Sequence, residues 1–231
     1  MAKTGAPVAA RLPSTVVVPR LVDAAINLLA THGPSELKAR AVAEAAGLST
    51  TAVYYHIGGM PELLAAVVVA GFDRLKSDFA RLSPSDDPVA DLMAMAIAYR
   101  ARAQANPHLF DLMFGLSTRG SYRQLKSASE GSQSDAFRTT YAYTVEASSR
   151  LAAGTRIHAG HDPELIAAQL WSVVHGFVAL ELSDRLTAFA DPLVEVLLPL
   201  TINVLIGFGG DAQRSRESGL LGMRRVLGDQ P

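Results

Sequence analysis

Ser49, Thr50 and Thr51 follow directly on Gly47-Leu48, and Tyr54, Tyr55 and His56 come next within two helical turns. Hydroxyls and hydrogen-bonding rings at that spacing recognise rather than react. No nucleophile–base–orienter set accompanies them, and the chain has no cysteine, no phosphate loop and no Gly-x-Ser-x-Gly elbow, so no enzyme is expected. Hydroxyls at the start of a short helix can instead meet the base edges or the phosphates of a nucleic acid. There the helix dipole favours anions, and a threonine methyl can touch a thymine methyl. Tyr55 and His56, at the far end of that helix, suit hydrogen bonds to phosphates. Arg40 is the one long cation nearby able to reach a guanine or a phosphate. The alternative is that Tyr54, Tyr55 and His56 are half-buried packing residues.

The stretch from Leu37 to Ile57 supplies a scaffold for these groups. It reads as two short helices bent around Gly47, with Leu37, Val42, Leu48, Val53 and Ile57 placed to pack inward. A helix from Thr50 to Ile57 is about 12 Å long, about the width of the DNA major groove. The first helix would brace it across the backbone, so the segment points to a helix-turn-helix that reads double-stranded DNA.

The composition is rich in Ala, Leu and Val with 6% aromatic residues, which favours helices over a sandwich or barrel. Nothing alternates with period two, so the predicted class is all-α. The lack of cysteine excludes disulfides, zinc ribbons and thiol chemistry and fits a reducing, cytoplasmic setting. Met1–Ser14 lacks the apolar segment of a secretory leader. The formal net charge is −1, and residues 1–60 carry a surplus of only two cations, a thin footprint for binding a phosphate backbone. A symmetric dimer doubles it. The most apolar run, Leu193–Phe208, contains Glu195 and Pro199 and falls short of the roughly 18–20 residues a membrane span needs, which predicts a buried helix and no membrane partner. His158-Ala-Gly-His161-Asp162 brings two imidazoles and a carboxylate together, but it reads as a loop in which Asp162 caps the next helix. Neither a metal site nor a cofactor is expected.

Along the chain, residues 1–14 read as a flexible arm and 15–82 as the helix-turn-helix domain with a connecting helix. A second helical domain follows over 83–208, and 209–231 reads as a solvated or frayed tail despite Arg214, Arg216, Arg224 and Arg225. A helix from about Thr15 ends at Gly33-Pro34, and the connecting helix from Met60 carries a stripe of Leu64, Val68, Gly71, Leu75 and Phe79. Asp87-Pro88, Asn106-Pro107, Asp162-Pro163 and Asp191-Pro192 each place a capping side chain before a proline, which predicts helices starting at 88, 107, 163 and 192. Another is expected over about Ser134–Ala153. Gly115–Gly131 reads as a loop with at most one short helix, and Pro199 should kink the last helix.

Residues 21–68 resemble the N-terminal domain of the TetR family of bacterial transcriptional repressors. The match is carried by Leu28-Leu29…His32-Gly33, Val42-Ala43…Ala46-Gly47-Leu48-Ser49, Val53-Tyr54-Tyr55-His56-Ile57 and Glu62-Leu63-Leu64. The resemblance implies base-proximal roles for Arg40, Thr50, Thr51 and Tyr54 and phosphate roles for Tyr55 and His56. Two positions depart from the family pattern: Met60 stands where members often have a phosphate-contacting lysine, and Ile57 where they usually have an aromatic. The first removes a backbone clamp, which would either lower affinity or shift work onto the arm cations Lys3, Arg11 and Arg20.

The same resemblance implies that the chain from about 83 onward binds a small-molecule effector and dimerises. Leu170-Trp171-Ser-Val-Val-His175-Gly176-Phe177 resembles the Trp–His–Gly signature of one group of these C-terminal domains. Trp171 and His175 lie one turn apart and share a face, and Gly176 would let a neighbouring helix approach closely. That face either lines an effector pocket with Met93, Ile97, Phe110, Met113, Phe114 and Tyr141, or is core with His175 neutral and hydrogen-bonded. The helices expected at 163–182 and 192–207 are apolar on more than one face, which a four-helix bundle between two copies would cover. The expected protein is a homodimeric, effector-released repressor on a palindromic operator. The alternative is a helical interaction protein that kept this fold and lost DNA binding.

Overall fold

The computed structural model describes residues 12–115 and 130–228, all of whose regular elements are helical. Helix α1 (Ser14–His32) leads through a 3-10 turn (Pro34–Glu36) to α2 (Ala39–Ala45), α3 (Thr50–His56) and the long α4 (Met60–Arg81). Then come α5 (Pro88–Ala105), α6 (Pro107–Phe114), α7 (Glu130–Ala153) and α8 (Pro163–Leu182). A π-helical turn (Leu193–Leu197) runs into α9 (Leu198–Gly207), and α10 (Ala212–Leu227) closes the chain. The expected loop over 115–131 lies outside the described residues except at its ends, and α7 begins four residues before the Ser134 expected from sequence.

The Asx–Pro pairs act as predicted. Oxygens of Asp87, Asn106, Asp162 and Asp191 accept from first-turn amides at Val89 (3.0 Å), Leu109 (3.0 Å), Glu164 (3.0 Å) and Leu193 (3.1 Å). Each satisfies an amide that has no carbonyl partner inside its helix. Pro199 acts differently from a simple kink. It offers no N–H, and the turn before it widens: the Leu198 amide donates to the Leu193 carbonyl, five residues back.

Two apolar cores share α4. Leu63, Val67, Val68 and Phe72 join Leu21, Leu29, Val42 and Val53 in the N-terminal core, whereas Leu75 and Phe79 belong to the core of α5, α7, α8 and α9. Helix α6 also bridges them, with Leu109 and Leu112 in the first core and Phe110 in the second. Helix α5 runs through the middle of the second core and is buried on every side from Pro88 to Ile97. By length and hydropathy α1 and α8 both suffice to cross a membrane, which the sequence reading overlooked. In this fold Leu21, Ala25 and Leu29 of α1 build the N-terminal core, and Ile166, Leu170 and Phe177 of α8 pack into the second.

The segment read as a frayed tail is corrected by the structure. Residues 212–227 form α10, which lies against α5 with Ser215, Ser218, Gly219, Gly222 and Met223 buried. Arg225 reaches the Asp91 carboxylate and the Ser83 carbonyl, the latter at 2.7 Å, and Ser218 donates to Asp87 at 2.5 Å. Arg225 looked like part of a solvated terminus because its partners lie more than a hundred positions away.

Candidate nucleic-acid interface and an apolar cavity

The turn between α2 and α3 is built by Gly47 at φ +64, a left-handed conformation that glycine adopts without a steric penalty. The Leu48 amide bonds the Ala43 carbonyl (2.8 Å) and the Gly47 amide the Glu44 carbonyl (2.9 Å), which closes α2 as a Schellman motif. Arg20 of α1 donates to the Ala46 carbonyl at 2.7 Å and so pins this turn from outside. Its guanidinium thereby supports the turn while the side chain stays exposed; Lys3 and Arg11 lie outside the described residues. Val42 and Val53, both fully buried, lock α2 to α3, with Leu37 buried and Leu48 and Ile57 half-buried around them.

That packing leaves the recognition side chains outside. Ser49, the N-cap of α3, makes no side-chain capping bond, and it and Thr51 are exposed while Thr50 is half-buried. Tyr54 and Tyr55 are 58% and 61% exposed, so neither is a packing residue of this chain. Arg40 stands exposed on α2. Ser49, Thr51, Tyr55 and His56 line one surface groove with Leu12 and Val17, and Thr50 and Tyr54 stand outside it. The imidazole of His56 is held through Nδ1 by the Ser14 hydroxyl at 2.8 Å, which fixes the ring with Nε2 as its other polar edge. Met60 is half-buried against the N-terminal core, so the position of the family lysine here contributes packing.

The predicted effector residues divide. Met93 and Trp171 line a cavity of about 40 Å³ among α4, α5, α7, α8 and α9, together with Phe79, Tyr99, Thr144 and Thr201. Ile97 is buried elsewhere in the core, and Phe110, Met113 and Phe114 border a smaller void of about 10 Å³ on the other side of Tyr99. Tyr141 stacks on Phe137 and meets Trp171 edge-on at 5.4 Å. His175 also lies outside the cavity, packed on Phe114 (4.7 Å) and Phe110 (5.6 Å), and its Nδ1 is hydrogen-bonded to the Tyr99 hydroxyl at 2.7 Å. Burial pushes the His175 pKa down and the Tyr99 pKa up, so both are neutral at physiological pH.

Tyr99, the hub of this aromatic group, was missed from sequence. It shares no helix face with Met93 and Ile97, and a helix buried all round has no apolar stripe to mark its inner side. Among the described residues no helix approaches Gly176 either: a β-carbon there would meet nothing within 4 Å. It lies on an exposed strip of α8 with Leu165 and Leu180. In the loop before α8, Asp162 caps the helix as expected and His161 packs edge-on against Phe208 at 4.8 Å.

Family models match both halves of the chain. The bacterial regulatory protein tetR family model covers residues 21–67, and the tetracyclin repressor-like C-terminal domain model covers 92–201. The chain belongs to the TetR family and is a transcriptional regulator with a DNA-binding helix-turn-helix. The HTH-type transcriptional regulator Rv1816 of Mycobacterium tuberculosis is 32% identical over 101 residues, which span 42% of this chain and only 42% of that relative. Among solved structures, a protein of unknown function from Rhodococcus sp. RHA1 shares the fold with a TM-score of 0.69 at 23% identity, over 88% of this chain and 99% of the other. SmeT, the repressor of the Stenotrophomonas maltophilia multidrug efflux pump SmeDEF, does so with a TM-score of 0.53 at 22% identity, over 83% and 88%.

Proposed function

We propose that this regulator is a cytoplasmic repressor that binds a near-palindromic operator as a homodimer and is released by a small, largely apolar effector. The observation that carries the DNA-binding part is the set of exposed Arg40, Ser49, Thr51, Tyr54 and Tyr55 with half-buried Thr50 and His56 beside them, on α2 and α3 of a packed helix-turn-helix. Arg40, Thr50, Thr51 and Tyr54 read bases, while Tyr55 and His56 grip phosphates. Similarity to SmeT, a repressor, supports the direction of regulation. The apolar cavity supports effector response, since a ligand releases DNA only by binding the DNA-incompetent state more tightly.

Selection of bound duplexes from a random pool at near-physiological salt tests the reading. A palindrome with half-sites about 34–36 Å apart is the expected result. Folded protein that enriches nothing supports the interaction-protein alternative, to which the burial of Met60 lends weight. Thr50→Ala and Arg40→Ala should each lower operator affinity by about 1–3 kcal/mol with unchanged helical content. Wild-type affinity in both would remove these residues from the site.

Dimerisation is supported by apolar side chains left uncovered on adjacent helices: Leu165 and Leu180 on α8, and Leu200 and Ile206 on α9, each 39–49% exposed. A second copy packed on this face as a four-helix bundle would bury them and use the open flank of Gly176. Leu180→Glu combined with Ile206→Glu should yield monomers by sedimentation velocity. An unchanged dimer would place the interface elsewhere.

A further inference from the structure

The cavity between α5, α7, α8 and α9 specifies more about its ligand than low polarity. None of the side chains that line it carries a charge. Any ion entering it would therefore lose its hydration without gaining a counter-ion, a cost that a ligand of this size cannot recover. Its volume of about 40 Å³ is close to the share of one water molecule in the liquid, about 30 Å³, whereas a cavity of about 150 Å³ is needed to hold benzene. Met93 and Met95 both line it, and theirs are the unbranched side chains in the wall best able to repack around a small ring; the roughly 300–1,000 Å³ of pockets for drug-sized ligands lies far beyond its volume. Phe79, Tyr99 and Trp171 present ring edges and faces to whatever enters.

The polar atoms of the wall are unequal. The Tyr99 hydroxyl is held by His175, and the Thr201 hydroxyl donates to carbonyls of its own helix at 2.8 and 3.1 Å. Thr144 lines the cavity with no such bond to another described residue. One turn further along the same face of α7, Ser148 is fully buried with its hydroxyl unpartnered. Ser148 does not itself line the cavity, so Thr144 is the wall hydroxyl that no other described residue engages.

Building on the effector-responsive reading above, we propose that the cavity takes an uncharged single-ring molecule whose polar substituent hydrogen-bonds the Thr144 hydroxyl while its ring packs among Phe79, Tyr99 and Trp171. Trp171 is the chain's only tryptophan and lies in the wall, so its emission reports occupancy directly. Titration of the full-length protein with phenol, toluene, benzoate and benzylamine at pH 7 tests the class. Phenol and toluene should change Trp171 emission saturably, with benzoate and benzylamine roughly a hundredfold weaker. Thr144→Val should weaken phenol about fivefold and leave toluene unaltered, and Thr144→Ser should restore phenol. Charged analogues binding as tightly as phenol, no saturable change with either neutral ring, or an unaltered phenol affinity in Thr144→Val would each overturn the proposal. The duplex selection is read separately. A selected operator with no ring binding overturns this ligand class alone, and saturable ring binding without an operator overturns the repressor reading alone.

Discussion

Replacing Asp91 by alanine is expected to destabilise the folded chain by about 3 kcal/mol, the low end of the cost of breaking a buried ion pair. The Asp91 carboxylate is 3% exposed in the first turn of α5. It accepts from the Ser85 amide (2.9 Å) and hydroxyl (2.7 Å), from Arg150 (2.9 Å) and from Arg225. One side chain therefore ties α5 to the preceding turn, to α7 and to α10. Its removal leaves the Arg225 guanidinium without this anion and Arg150 with Glu146 alone, at 3.2 Å. Their side chains remain 30% and 27% exposed, and the water they retain is why the low end applies. Urea denaturation measures the loss; a change under about 1 kcal/mol would show that the network stabilises little.

The same group makes stability depend on pH. Burial pushes the Asp91 carboxyl up, but the hydrogen bonds from Ser85, Arg225 and Arg150 outweigh it and hold the pKa below the ordinary aspartate value. Asp87 behaves alike, with burial opposed by Ser218, the Ala90 amide and Arg156. A depressed folded-state pKa means stabilisation that is complete above the unfolded value, about 3.9, and lost as pH falls through the folded one. Melting temperature should therefore fall steeply below about pH 4, and less steeply in Asp91→Asn. Parallel profiles for the two proteins would assign the acid sensitivity to other groups.

Gly222→Ala should cost about 3 kcal/mol, the upper end for overpacking a well-filled contact. A β-carbon at Gly222 would lie 2.3 Å from the Ala90 carbonyl oxygen and 2.8 Å from the Met93 β-carbon. Neither obstacle is the end of a flexible side chain, so α10 must lift from α5. Gly219, one turn earlier, supplies the control. Its β-carbon would meet the Leu198 terminal methyl at 2.5 Å, which can rotate away, and alanine is the better helix former by about 1 kcal/mol. Gly219→Ala should leave the denaturation midpoint nearly unchanged. Equal midpoints for the two variants would mean that α10 is not seated on α5 in solution. Because Met93 touches α10 on one side and the cavity on the other, Gly222→Ala should also alter Trp171 emission.

The sequence by itself determined whatever depends on near neighbours. The caps at Asp87, Asn106, Asp162 and Asp191 were legible because a capping oxygen and its amide lie two or three residues apart. The helix-turn-helix was legible because its turn needs one left-handed residue, Gly47, and its packing needs Val42 and Val53 at set spacings from it. Tertiary structure alone decided which side chains share a cavity and whether the last helix is seated. Helix α5 is buried on every side, so no periodicity separates Met93 and Tyr99, which border the cavity, from Ile97, which does not. Helix α10 carries arginines, serines and glycines that read as a solvated tail. Its burial is made by a close backbone approach at Gly222 and by carboxylates on α5 that are remote in sequence, terms that no window along the chain contains.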